Sequence, residues 1–382
     1  MENQRIKENI FYAYYVVCVI VMMKMFTVWI PFWSPILEVL AQILPLFGFV
    51  LILFANIKRF HVPLVLCACL LYVLGFSQWF PFDNFIYIAI IILLIGNFNF
   101  NKTIKVHFWT VTIYTLILIG LTFFNVIEPV VFSSGDRIRR AFAFVHPNIF
   151  SLPMLSIFST WLYLLIKKEF KQGLLFIVSI IFSIFLLIFY CDTKSGSICL
   201  IMLLFFYFIH LATIKSKNFG KVCIFFQRYI WVLPVLLFVF SMFYTVFYDG
   251  NNALWAKFND ILTGRPYLQH LAYTNNGLPL FGRGLSFDNG AAGAYEVIDS
   301  FYPAKIFENG IVTVSFFIFF IAVKLKKLVF NDKYNVDLLP LIMTTVFFLE
   351  ALSEKEPFAF MICPFLIYII NYTGKSKGAH NE

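Results

Sequence analysis

Apolar stretches long enough to cross a membrane alternate with short polar breaks along the whole chain. A transmembrane helix needs about 20 predominantly apolar residues. The stretches predict about twelve spanning helices, at residues 10–30, 36–56, 61–80, 84–98, 108–127, 149–166, 174–190, 197–213, 229–248, 306–323, 337–352 and 357–372. The pattern therefore predicts an all-α integral membrane protein in which residues 1–382 form a single polytopic membrane domain.

The composition of the chain supports this class. Of its 382 residues, 61% are hydrophobic and 13% are charged, whereas a soluble domain is roughly half apolar and one quarter charged. The net charge of +9 comes from basic residues in short runs between apolar stretches, which excludes a contiguous surface for nucleic acid. The seven cysteines lack the spacing of a metal site or a disulfide framework, so they are expected to act as small hydrophobic side chains.

The distribution of lysine and arginine predicts the orientation of the chain. Short loops on the cytoplasmic side of a membrane carry an excess of both residues. If the N-terminus lies inside, most of the 29 basic residues fall in segments that also lie inside. We therefore expect a multi-pass protein of the plasma membrane with both termini in the cytoplasm. Lys24 and Glu38 lie in neighbouring spans, and we expect a structural ion pair between them because unpaired charges there are costly.

The predicted outer basic loop at 128–148 goes against this charge distribution, because it contains Arg137, Arg139 and Arg140. A guanidinium group binds phosphate oxygens through two parallel hydrogen bonds. The three arginines therefore indicate a site for a lipid phosphate or pyrophosphate. A helix through this loop would place Arg137 and Arg140 on one face. Anchoring to lipid headgroups and ion pairing with Asp136 are the alternatives.

The predicted long outer loop at 249–305 is expected to be partly folded, since structureless loops of that length are uncommon in compact proteins. An apolar stripe after Asn252 predicts a short helix with that residue as its N-cap. Thr263 and Gly264 break this helix, and Pro266 is predicted to start another, which places Arg265 next to a helix N-terminus. Backbone N–H groups at a helix start bind anions, so Arg265 is a further candidate for phosphate binding.

Three other side chains near the outer ends of predicted spans could act on a sugar substrate. His146 could accept a proton or orient a hydroxyl group, and Asp299 could act as a general base or a sugar ligand. Tyr302 could stack against a sugar ring. A structural role is the alternative for each: hydrogen bonding for His146, helix capping for Asp299 and a place in the interfacial aromatic belt for Tyr302.

Short motifs in both outer loops and in one further turn resemble those of the O-antigen and capsular polysaccharide polymerase (Wzy) and O-antigen ligase superfamily. They are Phe144-Val145-His146-Pro147-Asn148 after the arginines, Thr193-Lys194-Ser195-Gly196, Leu262-Thr263-Gly264-Arg265, Leu280-Phe281-Gly282-Arg283-Gly284 and Asp299-Ser300-Phe301-Tyr302. The two basic outer loops, one of them long, also match. The resemblance implies a GT-C-like membrane glycosyltransferase that uses polyprenyl-pyrophosphate sugars without a metal ion or another cofactor.

We therefore expect a polysaccharide polymerase that transfers a growing glycan from polyprenyl pyrophosphate to a lipid-linked repeat unit at the outer membrane face. The expected pyrophosphate ligands are Arg137, Arg139, Arg140 and Arg265. The expected catalytic residues are His146 and Asp299. The expected substrate contacts are Arg283, Tyr302 and Asn148.

Two alternatives are open on the sequence. A ligase would transfer the finished glycan to a different acceptor, and its sequence pattern would be the same. A flippase or another transporter of lipid-linked oligosaccharides would need polar groups that face a cavity deep in the membrane. The expected partners are a polyprenyl-pyrophosphate-linked oligosaccharide and membrane lipids, with a chain-length regulator and a flippase as further candidates and with nucleic acid excluded.

Overall fold

The computed structural model describes residues 2–28, 34–54, 90–91, 94, 99–134, 137–216, 228–281, 298–330, 339–359 and 361–371. Helices contain 77% of these residues, and the sheet among them is a two-stranded hairpin. The prediction of an all-α protein is therefore confirmed at this level. The GT-C-like arrangement stays a prediction.

The described helices are, in chain order, α1 Glu2–Met23, α2 Ser34–Phe54, α3 Phe100–Phe123, α4 Pro147–Ile166, α5 Gly173–Phe189, α6 Lys194–Lys215, α7 Leu233–Phe247, α8 Ala253–Ile261, α9 Arg265–Asn276, α10 Phe301–Asn309, α11 Ile311–Val329, α12 Leu339–Glu350 and α13 Phe365–Asn371. Strands β1 Val131–Ser134 and β2 Arg137–Arg140 lie between α3 and α4. A single 3-10 turn at Lys24–Phe26 follows α1, and another at Ile230–Val232 precedes α7.

In the described part of the chain, six helical segments are long and apolar enough to cross a membrane: Arg5–Met23, Pro35–Ile52, Phe100–Phe123, Pro147–Ile166, Lys194–Ile214 and Ile230–Phe247. Helices α5 and α12 are also apolar but shorter. The described structure is thus that of an α-helical membrane protein, while the number of about twelve spans stays a prediction. The predicted span 61–80 and most of 84–98 lie outside the described residues.

Two helix boundaries differ from the predicted spans because of local capping. Helix α3 begins at Phe100, earlier than predicted, since the Asn99 side chain accepts a hydrogen bond from the Lys102 backbone N–H at 3.2 Å. The predicted span 306–323 is instead divided between α10 and α11. Gly310 separates these two helices with a φ of +87°, a positive value that glycine adopts at little cost because it has no Cβ atom.

The last predicted span, 357–372, is helical only in its second half. The described residues between Ala351 and Pro364 form turns, and α13 follows them. Pro357 and Pro364 have no backbone N–H to donate to a helix. The charged residues just before Pro357 form ion pairs, described below, that the apolar pattern of the sequence did not show.

The chain divides into two compact units, which are described separately. Unit 1 comprises 1–70, 82–221 and 359–371, and unit 2 comprises 71–81, 222–358 and 372–382. In unit 1, α4 is buried along most of its length and packs against α3, α5 and α6. The expected ion pair is confirmed in the same unit, with Lys24 Nζ 2.9 Å from Glu38 Oε1.

Polar side chains also link the helices inside unit 1. The buried ring of His107 on α3 places one nitrogen 2.8 Å from the Tyr15 hydroxyl of α1. Its other nitrogen lies 2.9 Å from the Ser156 hydroxyl of α4. Because buried polar groups need hydrogen-bond partners, these contacts fix the register of the three helices.

In unit 2, helix α7 contacts α9, α10, α11 and α12. The Thr245 hydroxyl of α7 donates to the Gln269 side-chain oxygen of α9 at 3.2 Å. Ala272 of α9 packs in a small apolar cluster with Ile298 and Phe307. These contacts hold α9, which begins with Arg265, against the segment that leads into α10.

Candidate functional site

The arginine-rich segment of unit 1 forms a β-hairpin instead of the expected helix. Val131 pairs with Arg140, and Ser134 pairs with Arg137. β-Branched residues favour strands, and Gly135 and Asp136, which separate the two strands in the sequence, are residue types typical of turns. The expectation that Arg137 and Arg140 share a helix face is therefore wrong. The Arg137 side chain lies outside the described part of the structure.

Arg139 is oriented by the start of the next helix. Its Nη2 donates a hydrogen bond to the side-chain oxygen of Asn148, which lies in the first turn of α4. Because Asn148 is a neutral amide, this hydrogen bond orients the guanidinium and brings no counter-charge of its own. Asn148 itself is buried. A direct contact between Asn148 and sugar is therefore replaced by a role in positioning Arg139.

Arg140 lies on the opposite face of the strand, because successive side chains of a strand alternate. Its guanidinium carbon is 5.4 Å from the centroid of the Tyr190 ring, a cation–π arrangement. Tyr190 in turn stacks on Phe142, with ring centroids 4.7 Å apart. Arg140 is exposed, so its donors are accessible to an anion from solvent or from a lipid headgroup.

His146 is the N-cap of α4. Its Nδ1 accepts a hydrogen bond from the Asn148 backbone N–H at 3.2 Å, and its ring packs edge-on against Phe132. A neutral imidazole that accepts through Nδ1 carries its proton on Nε2. In this arrangement Nε2 donates a hydrogen bond and does not accept a proton. The expected role of His146 as a base is therefore not the one that the geometry favours.

The turn at 191–196 lies beside the same helix start. A Cβ atom added to Gly196 of α6 would clash with the Ser151 side chain of α4, so the absence of a side chain allows the two helices to approach. Cys191 lies near Arg139: burial raises the pKa of the Cys191 thiol to about 12, and Arg139 opposes part of that rise. Two of the sequence motifs are therefore neighbours in unit 1.

We call Arg139, Arg140, His146 and Asn148 the hairpin cluster. It joins two guanidinium groups and an imidazole to the first turn of a long helix. Each of these groups can donate hydrogen bonds to an anion. The cluster is chemically suited to bind phosphate oxygens.

In unit 2, the helices predicted inside the long outer loop are present. Helix α8 begins after Asn252, whose side chain accepts the Leu254 backbone N–H at 2.9 Å. Helix α9 begins at Arg265, and Gly264 before it has a φ of +81°. Both predictions are confirmed.

The Arg265 guanidinium lies among three oxygen-bearing side chains. Nη1 donates to the Thr263 hydroxyl at 2.7 Å. Nη2 lies 3.6 Å from Glu354 Oε1 and 3.9 Å from Asp299 Oδ2, which is too long for a hydrogen bond. The charges therefore attract each other without a bidentate contact. The Arg265 side chain is 14% exposed, that of Glu354 5% and that of Asp299 40%. We call these four residues the Arg265 cluster.

Thr263 adopts an unusual backbone conformation at this point. Its φ is +56°, in a region that β-branched residues rarely enter and that costs about 1–3 kcal/mol. The conformation places the hydroxyl of Thr263 on Arg265. Backbone strain of this kind is concentrated at functional sites, which makes the turn before α9 a candidate of its own.

A second group of charges in unit 2 was missed by the sequence interpretation. Lys305 Nζ lies 3.0 Å from Glu308 Oε2 and 2.6 Å from Glu356 Oε1, and Lys355 Nζ lies 2.5 Å from Glu308 Oε1. Burial alone would lower the pKa of Lys305, but attraction to Glu356 and Glu308 outweighs it and raises that pKa. The signal in the sequence was the density of acidic residues from Glu350 to Glu356.

The other two predicted substrate contacts are Tyr302 and Arg283. Tyr302 is fully buried and its hydroxyl donates to the Phe348 carbonyl at 3.1 Å, so its ring has no face on which a sugar could stack. The stacking role of Tyr302 is thus replaced by a structural one. Ser300 of the same motif is also structural, because its hydroxyl donates to the Ala351 carbonyl at 3.1 Å. Arg283 lies outside the described residues.

The structure thus brings the predicted site residues together in two sets. Arg139, Arg140 and His146 lie in unit 1, and Arg265 and Asp299 lie in unit 2. Among the described residues, no group of three histidine, cysteine, aspartate or glutamate side chains is suited to hold a metal ion. Comparison with family models, curated proteins and solved structures finds no match.

Proposed function

We propose that this protein is a polysaccharide polymerase that transfers a growing glycan from polyprenyl pyrophosphate to a lipid-linked repeat unit at the outer membrane face. The observation that carries the proposal is the Arg265 cluster. It combines a fixed guanidinium, suited to a phosphate group, with an accessible carboxylate, suited to a hydroxyl group. The resemblance of the surrounding motifs to the Wzy and ligase superfamily supports the same reaction.

The chemistry of this reaction needs few protein groups. The acceptor hydroxyl oxygen forms a bond to the anomeric carbon of the glycan, and the bond from that carbon to the pyrophosphate oxygen breaks. The leaving polyprenyl pyrophosphate keeps the electron pair, so positive groups that stabilise its charge lower the barrier. The acceptor proton passes to a base.

Asp299 is the base in this proposal. It is the more exposed carboxylate of the Arg265 cluster, at 40%, so an acceptor hydroxyl can reach it. Glu354 is almost buried beside the same guanidinium and holds Arg265 in position. A carboxylate base of this kind typically contributes about 10²–10⁴-fold to a rate.

The hairpin cluster is proposed to bind phosphate oxygens of a lipid-linked sugar. Arg139 is oriented by Asn148, Arg140 is exposed beside Tyr190, and His146 donates through Nε2. Each hydrogen bond between a charged and a polar group is worth about 1.5–3 kcal/mol. Loss of both arginines would therefore abolish useful binding.

A flippase for lipid-linked oligosaccharides is the second candidate. The partly buried ion pairs of Lys305, Glu308, Lys355 and Glu356 favour it, because charges inside membrane proteins often mark a substrate pathway. A ligase would use the same chemistry as the polymerase with another acceptor.

These functions can be distinguished by deleting the gene and measuring the length and the location of the glycan. A polymerase deletion leaves single repeat units on the outer face, while a flippase deletion traps them inside. A ligase deletion leaves long polymer on the carrier lipid. Complementation with wild type, Arg265→Ala and the exposed α8 control Lys257→Ala then links the phenotype to the Arg265 cluster. Repeat units trapped inside, or restored polymer with Arg265→Ala, would contradict the proposal.

A further inference from the structure

An open groove of about 540 Å³ lies on unit 1 between α1 and α3. Its walls are almost entirely apolar and include Val16, Trp109 and Ile113. Both helices contain segments apolar enough to cross a membrane, so walls of this composition are suited to contact with lipid tails. The volume falls within the range of roughly 300–1,000 Å³ that small-molecule sites have. The groove has room for part of an acyl chain.

Two lysines line one end of this groove, near the start of α3. They are Lys102 and Lys105, and each side chain is about half exposed. Lys102 Nζ lies 3.1 Å from Glu8 Oε2, and Lys105 Nζ lies 3.8 Å from Glu169 Oε2. The second contact is too long for a hydrogen bond, so the Lys105 ammonium keeps donors for another acceptor.

The turn after α4 adds further positive charge to this end. Glu169 belongs to that turn, and the Phe170 ring lies 5.2 Å from the Phe108 ring of α3, measured between centroids. The same turn carries Lys167, Lys168 and Lys171. In this turn three lysines stand against the single carboxylate of Glu169, so its net charge, like the charge of Lys102 and Lys105, is positive.

We propose that this groove binds an anionic phospholipid, with one acyl chain between α1 and α3 and the headgroup phosphate at Lys102 and Lys105. An apolar groove alone would not distinguish one lipid from another, because lipid tails are as apolar as its walls. The positive charge at its end favours an anionic lipid, since basic pockets between membrane helices on the cytoplasmic side bind anionic headgroups. The positive-inside rule places this end in the inner leaflet.

The proposal is independent of the polymerase reaction, and its test needs no activity. The full-length protein is purified in a neutral detergent, and phosphatidylglycerol, phosphatidylcholine or inorganic phosphate is added. Bound lipid is counted by native mass spectrometry, and the unfolding temperature is measured in parallel. We expect phosphatidylglycerol to bind and to raise the unfolding temperature, while phosphatidylcholine and inorganic phosphate do neither.

Two pairs of variants locate the binding. Lys102→Gln with Lys105→Gln should weaken phosphatidylglycerol binding about five-fold or more, whereas Lys326→Gln with Lys327→Gln on α11 should leave it unchanged. Ile113→Trp should fill the groove and reduce binding to the phosphatidylcholine level. Leu116→Trp is the matched control, since Leu116 is exposed on the same helix and does not line the groove.

Three results would overturn the proposal. The first is equal binding of phosphatidylglycerol and phosphatidylcholine, which would show ordinary contact with membrane lipid. The second is stabilisation by inorganic phosphate alone, which would show a site for the free anion. The third is unchanged binding in Ile113→Trp, because this variant keeps both lysines and their ion pairs and changes only the groove.

Discussion

Arg265 Nη2 lies 3.6 Å from Glu354 Oε1, and both side chains are largely buried. This relationship joins the first residue of α9 to the turn after α12. Removing one partner of a buried ion pair leaves an uncompensated charge and typically costs about 3–5 kcal/mol of folding free energy. A simple loss of function after mutation of Arg265 therefore needs a control for folding.

The Arg265 series provides that control. Arg265→Ala should abolish polymer, and Arg265→Lys should reduce it at least about ten-fold because an ammonium lacks the planar fork. The double variant Arg265→Ala with Glu354→Gln removes both charges, so its membrane level should recover without polymer. The measurements are surface glycan length and protein level by immunoblot. Polymer of wild-type length in the double variant would show that Arg265 is not part of the catalytic site.

The Thr263 hydroxyl should matter through Arg265. Thr263→Val has nearly the same shape but accepts no hydrogen bond from the guanidinium, so polymer should fall about ten-fold, as expected for a lost contact to a charged group. Thr263→Ser keeps the acceptor and should retain activity. Equal polymer in the Val and Ser variants, at equal protein level, would show that the strained turn has no part in positioning Arg265.

His146 can be divided into a capping role and a donor role. His146→Asn keeps a side-chain oxygen that caps α4, and it lacks the Nε2–H donor. Its membrane level should therefore be normal, while polymer should be strongly reduced. His146→Ala also loses the cap, which costs about 1 kcal/mol, so its melting temperature should fall. Full polymer in His146→Asn would assign His146 to capping alone.

The orientation of both outer loops can be tested by cysteine labelling. Cysteines at Ser133 on β1 and Asn251 before α8 replace exposed residues and should react with an impermeant thiol reagent on intact cells. Burial raises the pKa of the native Cys191 thiol to about 12. The reactive thiolate is then scarce at pH 8 and increases only as the pH rises towards that value. The unmodified protein is labelled in parallel as the control.

Labelling of these two positions only after permeabilisation would reverse the predicted orientation. Strong labelling of the unmodified protein on intact cells would instead mean that another native cysteine is accessible. That cysteine would then have to be replaced before the result is read.

Local sequence signals predicted local structure well. Asn252 predicts the start of α8, and Gly264 predicts the break after it, because N-capping and positive φ depend on neighbouring residues alone. The ion pair of Lys24 and Glu38 was also predictable, since both charges lie in adjacent apolar spans. The prediction of about twelve spans rests on the length of the apolar stretches alone. The described residues confirm that the chain is a helical membrane protein, and the number of spans stays a prediction.

Contacts between distant residues were not predictable in the same way. Arginine is compatible with a helix or a strand, so the sequence does not determine the structure of the basic segment. The pairing of Arg140 with Val131 makes it a strand. Glu354 was missed since its partner Arg265 is far away in the sequence. The burial of Tyr302 depends on packing against α12, which no local pattern around Tyr302 indicates.

The central claim is tested most directly by incubating the purified protein with single lipid-linked repeat units and measuring the products. The account predicts a ladder of longer glycans, with one polyprenyl pyrophosphate released for each bond formed. The Asp299→Asn variant should bind the same lipid-linked unit but release polyprenyl pyrophosphate about a hundred-fold more slowly, as expected for a lost general base. Repeat units that stay single with folded wild-type protein, or an Asp299→Asn variant that reacts at the wild-type rate, would contradict it.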